Sequence, residues 1–179
     1  DRMLASIPHR STDGTAVVAG GSVAMGFARR ATTERQAKDS QPFEDKRTGL
    51  RIVADVRLDD PSELARALGP RSGEDLPDAE LLLLGYRHWG EGLSEHLKGD
   101  FALVIWDPTR QQVFAARDPF GVRPLFFHAT DSRLAFATEV EQLLDILEDA
   151  PALDDGLVLD FLRGDYRHSR QTYYRGISR

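Results

Sequence analysis

The sequence predicts an α+β fold with helices packed on largely antiparallel sheet, and three observations predict it. Phe101–Trp106, Val113–Ala116, Pro124–His128 and Leu134–Ala137 are four strand-sized runs separated only by turn residues. Strands this close pair antiparallel, because a parallel crossover needs a dozen or more residues. Two helical stretches, one opening at Asp60-Pro61 and one spanning about Asp78 to Trp89, lie upstream of them. A Gly20-Gly21 pair joins two further apolar runs, 15–19 and 22–28, as a tight hairpin.

Each element has a local reason. Met3, Leu4 and Ile7 read as the tail of a short helix stopped by Pro8. Thr32 to Ser40 shows no periodicity and reads as a loop, and Arg47-Thr48-Gly49 as a turn. Over 50–58, Leu50, Ile52, Ala54, Val56 and Leu58 alternate with Arg51, Val53, Asp55 and Arg57, the period of a strand with one face buried. Asp60 supplies a capping carboxylate, Pro61 a pre-set first helical residue, and Glu63 the third position of a capping box. Gly69-Pro70 stops that helix, and Arg71 to Leu76 forms a polar loop. The next helix carries Leu81, Leu84 and Tyr86 on its apolar stripe, and Gly90 and Gly92 break it before a short helix at Ser94–Leu97. The four strands follow as a meander, then an amphipathic helix at Glu139–Leu147 and a short one at Leu157–Leu162.

Composition narrows the functions. The 179 residues suit one domain with a real core. Asp and Glu outnumber Lys and Arg by 29 to 23, and a net charge of −6 argues against nucleic acid or an anionic membrane as partner. No apolar run reaches the length of a membrane span. The chain has no cysteine, so disulfides, thiolate metal sites and a cysteine nucleophile are absent from it. His9, His88, His96, His128 and His168 show no metal-ligand spacing, and no glycine-rich phosphate loop is present, so neither metal nor nucleotide cofactor is assigned to this domain. With no targeting segment, the expected compartment is the cytoplasm. Asp1 and the abrupt close at Gln171 to Arg179 read as the ends of a piece of something longer.

The dense region is Gly99 to Glu139: GDFALVIWD, ARDPFGVRPLFF and LAFATEV. Read residue by residue, Arg117-Asp118 is an ion pair closing a turn, and Pro124 opens a strand where no ladder donor is needed. As a combination, G-D-F-A-x-x-x-W-D, R-D-x-x-G-x-x-P-L and F-A-T-E resemble the class II (type 2) glutamine amidotransferase domain of asparagine synthetases. Further matches are Met25-Gly26 with Arg29, Gln41-Pro42, Asp78 with Glu80, and looser ones at His9-Arg10 and Asp13-Gly14. Thr172 to Ile177 resembles the connector to a C-terminal synthetase domain.

The resemblance implies an N-terminal-nucleophile hydrolase fold, an αββα sandwich of two mainly antiparallel sheets flanked by helices. In active members an N-terminal Cys attacks the glutamine amide with its own α-amino group as base. Ammonia then passes to a second domain that uses ATP and magnesium to form an amide. By position, Arg29 would hold the glutamine carboxylate and Asp78 its amino group, one charge of each sign for a zwitterion. The implied partners are glutamine and the synthetase domain of the same parent, in an assembly compatible with a homodimer.

Two departures bear on activity. The family's opening Met-Cys-Gly-Ile strand would precede Asp1, so no catalytic nucleophile lies in this chain. Where the family carries Asn-Gly-Glu-Ile-Tyr-Asn, this sequence has Asp55-Val56-Arg57-Leu58-Asp59-Asp60. A carboxylate at Asp55 cannot donate to a developing oxyanion, and loss of one such donor costs roughly 10²–10³ in rate. Val56 puts a branched side chain where the family has Gly. A plain reading pairs Asp55 with Arg57 on the polar face of the strand. The D-x-R-L-D-D run resembles asparagine-synthetase-like proteins of peptide and antibiotic pathways, including lasso-peptide cyclases and β-lactam synthetases. The expected function is therefore a glutaminase-like domain without glutaminase activity in an ATP-dependent amide-forming ligase. Two alternatives stand beside it: a working glutaminase supplying ammonia for asparagine biosynthesis, its Cys upstream of residue 1, and a non-catalytic interaction module.

Overall fold

The computed structural model describes residues 1–69, 76–165 and 170–179. Its described helices and strands run α1 (Arg2–Ala5), β1 (Thr15–Gly20), β2 (Val23–Ala28), α2 (Glu34–Lys38), β3 (Phe43–Asp45), β4 (Leu50–Leu58), α3 (Pro61–Ala67) and α4 (Asp78–Trp89). Then follow β5 (Gly99–Asp107), β6 (Gln112–Arg117), β7 (Phe126–Ala129), β8 (Leu134–Ala137), α5 (Val140–Leu144), α6 (Asp155–Leu162) and β9 (Ile177–Ser178). Short 3-10 turns occupy Pro8–Arg10 and Gly90–His96. Every pairing between described strands is antiparallel, the α+β arrangement the sequence predicts. Two compact units result: Pro8–Arg123, and Asp1–Ile7 with Pro124–Arg179.

In the Pro8–Arg123 unit the sheet order is β3-β4-β5-β6, with β1-β2 a separate hairpin. The hairpin turns at the Gly20-Gly21 pair, as its sequence predicts. β4 alternates as expected: Leu50, Ile52, Ala54 and Val56 are buried, and the intervening side chains are not. They pack with Leu82, Leu83, Tyr86 and Leu93 and with Phe101, Leu103 and Ile105 of β5. Gly99 opens β5 opposite Leu58 at φ +129°, and a Cβ there would sit 2.1 Å from the Arg57 carbonyl oxygen. Only glycine allows that approach.

Helix boundaries follow their caps. Asp60 accepts from the Glu63 N–H at 2.8 Å and starts α3, but the Glu63 carboxylate turns to Lys98 (2.7 Å) instead of completing the capping box. Gly69 ends the helix at φ +98°, while Pro70 and the loop to Asp75 lie outside the described residues, as does His168. α4 is more deeply packed than its predicted stripe: Leu81, Leu82, Leu83 and Tyr86 are buried and Leu84 only half-buried. The reason is two neighbours. Leu81 packs on Leu64 and Ala65 of α3, while Leu82, Leu83 and Tyr86 face the sheet. The short helix expected at Ser94–Leu97 is a 3-10 turn that begins already at Gly90, closed by Trp89 stacked on His96 at 4.0 Å. The segment expected as a loop contains α2, since Thr33 accepts from the Gln36 N–H and the Gln36 side chain accepts from Thr32. Capping, not periodicity, makes this helix.

The Asp1–Ile7 and Pro124–Arg179 unit holds a sheet of order β8-β7-β9. Here the predicted four-strand meander is corrected: β5 pairs with β6 and β7 with β8, but β6 does not pair with β7. The connecting segment turns the N–H groups of Phe120, Val122 and Arg123 into the Asp118 carboxylate, away from a ladder, and β7 starts at Phe126 rather than Pro124. α5 stops at Leu144, short of the predicted Leu147, and begins with a capping box between Glu139 and Gln142. Gln142 also donates to the Met3 carbonyl at 3.0 Å, tying α1 to α5 over a core of Ala137, Leu143 and Ile177. β9 is a strand that the sequence did not announce.

Among the described residues no helix is long and apolar enough to cross a membrane.

Candidate functional site

The candidate site grows from the edge of β4. β3 covers that strand only from Leu50 to Ile52. Beyond it, side-chain amides take over the bonding. Gln41 accepts from the Ala54 N–H at 2.6 Å and donates to the Ala54 carbonyl at 3.0 Å, so one buried amide satisfies both main-chain groups of that residue. Gln36, on α2, donates to the Val56 carbonyl at 3.1 Å. Backbone groups at a sheet edge must find partners, and here glutamine side chains supply them.

Gln41 also donates to Asp39 Oδ2 at 2.8 Å, which opens a second layer. Asp39 and Asp78 are 5% and 3% exposed, deep enough that an unpaired carboxylate would be costly. Arg35 serves Asp78, its Nε 2.5 Å from Oδ1, and also donates to the Leu76 carbonyl at 2.5 Å. Arg29 donates to the main-chain carbonyl of Asp39. Oδ1 of Asp39 carries no hydrogen bond of good geometry. Burial is the largest influence on Asp39 and pushes its pKa up, with Asp78 acting the same way. The Gln41 side chain, the Ala79 N–H and Arg35 act against it without reversing the direction.

Asp55, one residue before Val56, points elsewhere. Its carboxylate lies 3.2 Å from Nη1 of Arg123 and 3.8 Å from Nη1 of Arg10. The expected pairing with Arg57 is corrected: Arg57 reaches Asp59 at 2.8 Å and Asp100 at 3.1 Å. Adjacent residues of a strand face opposite sides, but Asp55 and Arg57 share a side; the nearer, cross-strand acid at Asp100 wins Arg57 because Arg57 and Asp100 are direct register partners. Val56 is buried, its side chain in the core.

Arg123 is delivered to Asp55 by a loop wrapped on Asp118. That carboxylate accepts from the N–H groups of Phe101 (3.4 Å), Phe120 (3.1 Å), Val122 (3.0 Å) and Arg123 (3.0 Å). Burial would raise the Asp118 pKa, but the Arg123, Val122, Phe101 and Phe120 N–H groups together outweigh it and hold the pKa below the ordinary carboxylate value. The turn predicted at Asp118 is present, closed through main-chain donors and not through Arg117.

The family model described as a glutamine amidotransferase domain matches residues 1–179. The chain belongs to the glutamine amidotransferase domain family. Among curated proteins it is 32% identical over 148 residues to an asparagine synthetase (glutamine-hydrolyzing) 3 of Bacillus subtilis, covering 80% of this chain and 24% of that protein. It is 26% identical over 181 residues to the amidase chyE of Penicillium rubens, spanning 100% of this chain and 26% of that protein. The amidase chry2 of Gibberella zeae is 32% identical over 123 residues, 68% of this chain and 18% of the relative. The chain thus spans about a quarter or less of the length of these relatives.

Within this amidotransferase domain, Arg29 and Asp78 are gathered around one residue, Asp39, which sequence reading did not single out. Asp55 and Val56 are neighbours on β4 but serve different surroundings, an arginine pair and the core. Arg10, Arg35 and Arg123 were missed as well. For Arg123 the signal was its place in the G-V-R-P-L run; Arg35 has none, because the helix that carries it was not legible. Among the described residues no group of three or more His, Cys, Asp or Glu side chains comes close enough to hold a metal ion.

Proposed function

We propose that this chain is the glutaminase-like domain of an asparagine-synthetase-related protein that forms an amide at the expense of ATP, and that the domain itself does not hydrolyse glutamine. One observation carries the reading. At the strand position where the resemblance puts an amide donor, Asp55 presents a carboxylate held by Arg123 and Arg10. An anion there opposes the negative charge that develops on a tetrahedral intermediate, where an active site aligns donors. The Arg35–Asp78 pair supports the same reading, because the carboxylate that would take the glutamine amino group already has a cation. ATP and magnesium belong, on this reading, to a C-terminal synthetase domain outside residues 1–179, and no residue here is assigned to them.

A working glutaminase is the second reading, favoured by the gathering of Arg29 and Asp78 about Asp39; it needs a Cys upstream of residue 1. Glutamate release from L-glutamine by the full-length protein separates the two. Turnover below detection, with amide formation supported by an ammonium salt or an amine, is the expected result. Turnover with a kcat near 1 s⁻¹ or above, within the range of about 1–10³ s⁻¹ common to enzymes, overturns it.

A further inference from the structure

We propose that helix α6 and the neighbouring Tyr173 form a docking face whose occupant is the C-terminal synthetase domain of the same polypeptide. This rests on the proposed function, which supplies such a domain, and adds the surface that holds it. Three observations carry it. First, α6 is apolar yet buries nothing: Leu157, Val158, Leu159, Phe161 and Leu162 make up five of its eight residues, and none of the eight is buried. At 3.6 residues per turn these five span an arc of roughly 200°, with Asp160 on the opposite side. α4, by contrast, buries Leu81, Leu82, Leu83 and Tyr86. Second, the face extends past the helix. Leu162 is 74% exposed, and Leu153, Leu159, Phe161 and Tyr173 are each 43–50% exposed, the Phe161 and Tyr173 rings meeting edge to face at 5.6 Å. Exposed apolar residues gathered in this way mark an interaction surface. Third, main-chain bonds fix the helix in place. Asp154 accepts from the Leu157 N–H at 3.1 Å and donates its own N–H to the Tyr173 carbonyl at 2.8 Å, and the Arg175 N–H donates to the Ala152 carbonyl at 3.0 Å.

The occupant follows from the segment that forms the second side of the face. Tyr173 belongs to Thr172–Ile177, the run that resembles the connector to a synthetase domain, and that run is bonded alongside Ala152 and Asp154. Thr172 anchors it further, its hydroxyl donating to the Ile177 carbonyl at 2.8 Å. A domain joined through this connector starts beside the face, at an effective concentration that is roughly millimolar for a short linker. A second copy of the chain has no such advantage. The matched relatives have room for a further domain, since this chain spans about a quarter or less of their length. Removal of Leu159, Phe161 and Leu162 from water drives the docking.

The test is photo-crosslinking in the full-length protein carrying Leu162→p-benzoyl-Phe. Irradiation should give a product of unchanged chain mass, in which peptide mapping finds the bond from position 162 to a segment beyond residue 179. A product of doubled mass makes the face an interface between copies and overturns the proposal, as does a bond confined to residues 1–179 or no bond at all. Should that protein fail to fold, hydroxyl-radical footprinting of the wild type decides. Leu162 and Tyr173 oxidised about tenfold more slowly than in the unfolded chain, and unchanged on dilution, support docking within one polypeptide. Rates near those of the unfolded chain, or protection lost on dilution, overturn it. Neither readout involves catalysis. Amide formation from ATP without a bond beyond residue 179 overturns the docking face alone, and such a bond in a protein that forms no amide overturns the proposed function alone.

Discussion

Arg123 bonds to Asp118 through its backbone and to Asp55 through its side chain: its N–H donates to Asp118 Oδ2 at 3.0 Å, and its Nη1 lies 3.2 Å from Asp55 Oδ1. The buried carboxylate of one loop thereby sets the position of the cation that holds the carboxylate of β4. Asp55 is neutralised in place, and its orientation is a property of the loop as much as of the strand.

Asp118→Ala should cost about 3 kcal/mol or more, because the N–H groups of Phe101, Phe120, Val122 and Arg123 lose one buried, charged acceptor together and hydrogen bonds to charged groups are worth roughly 1.5–3 kcal/mol each. The folded-state pKa of Asp118 lies below its unfolded value. Its contribution is therefore complete above the unfolded value of about 3.9 and is lost as pH falls through the folded one. Denaturant unfolding between pH 3 and pH 7 should show the gap between wild type and variant narrowing toward the acid end; the pH range is set by a window of about one to two units around that reference value.

Asp55→Asn and Arg123→Ala should couple in a double-mutant cycle by about 0.5–1 kcal/mol, the range of part-exposed ion pairs, since both side chains keep a quarter or more of their surface in water. Raising the salt concentration should shrink that coupling. Asp55→Asn alone should not bring glutamine hydrolysis, because Arg35 still holds Asp78. Glutamate release measured on the variant checks this directly.

The parts of the fold that were legible are those where burial writes a period into the chain. β4 alternates because one face is core, and α3 and α4 announce themselves by a capping Asp and by Leu-rich turns. α2 was not legible because nothing on it is buried and its cap is a lone threonine. The broken meander was hidden for a related reason: Asp118 looks like any turn aspartate until its partners are seen to be four main-chain donors. Of the candidate residues, motif matching singled out Arg29, Asp55, Val56 and Asp78; Arg10 and Arg123 lie inside matched runs but meet Asp55 only by tertiary approach, and Arg35 depends on tertiary approach alone.

Gln41→Ala should destabilise the protein by about 2–4 kcal/mol, since it leaves the N–H and carbonyl of buried Ala54 and one oxygen of Asp39 without their partner. Gln41→Glu should be at least as damaging, because a carboxylate cannot donate to the Ala54 carbonyl and sets a third negative charge beside Asp39 and Asp78. Chemical denaturation of both variants checks the order. Substitution at the neighbouring exposed Ser40 should stay within about 0.5 kcal/mol.

Asp39→Asn should move stability the other way at neutral pH. Burial raises the folded-state pKa of Asp39 above its unfolded value, so the folded protein holds this proton more tightly than the unfolded chain. Stability from protonation is complete below the unfolded value of about 3.9 and is lost as pH rises through the raised folded value. Wherever Asp39 is ionised its charge therefore works against folding, and an amide of the same shape removes that charge while its oxygen can still accept from Gln41. Unfolding free energies should show Asp39→Asn more stable than wild type at pH 7, with the advantage falling as the pH is lowered into the range where wild-type Asp39 takes up its proton. A variant less stable than wild type at every pH would mean that the negative charge is required by Arg35, the cation that acts on the Asp39 carboxylate.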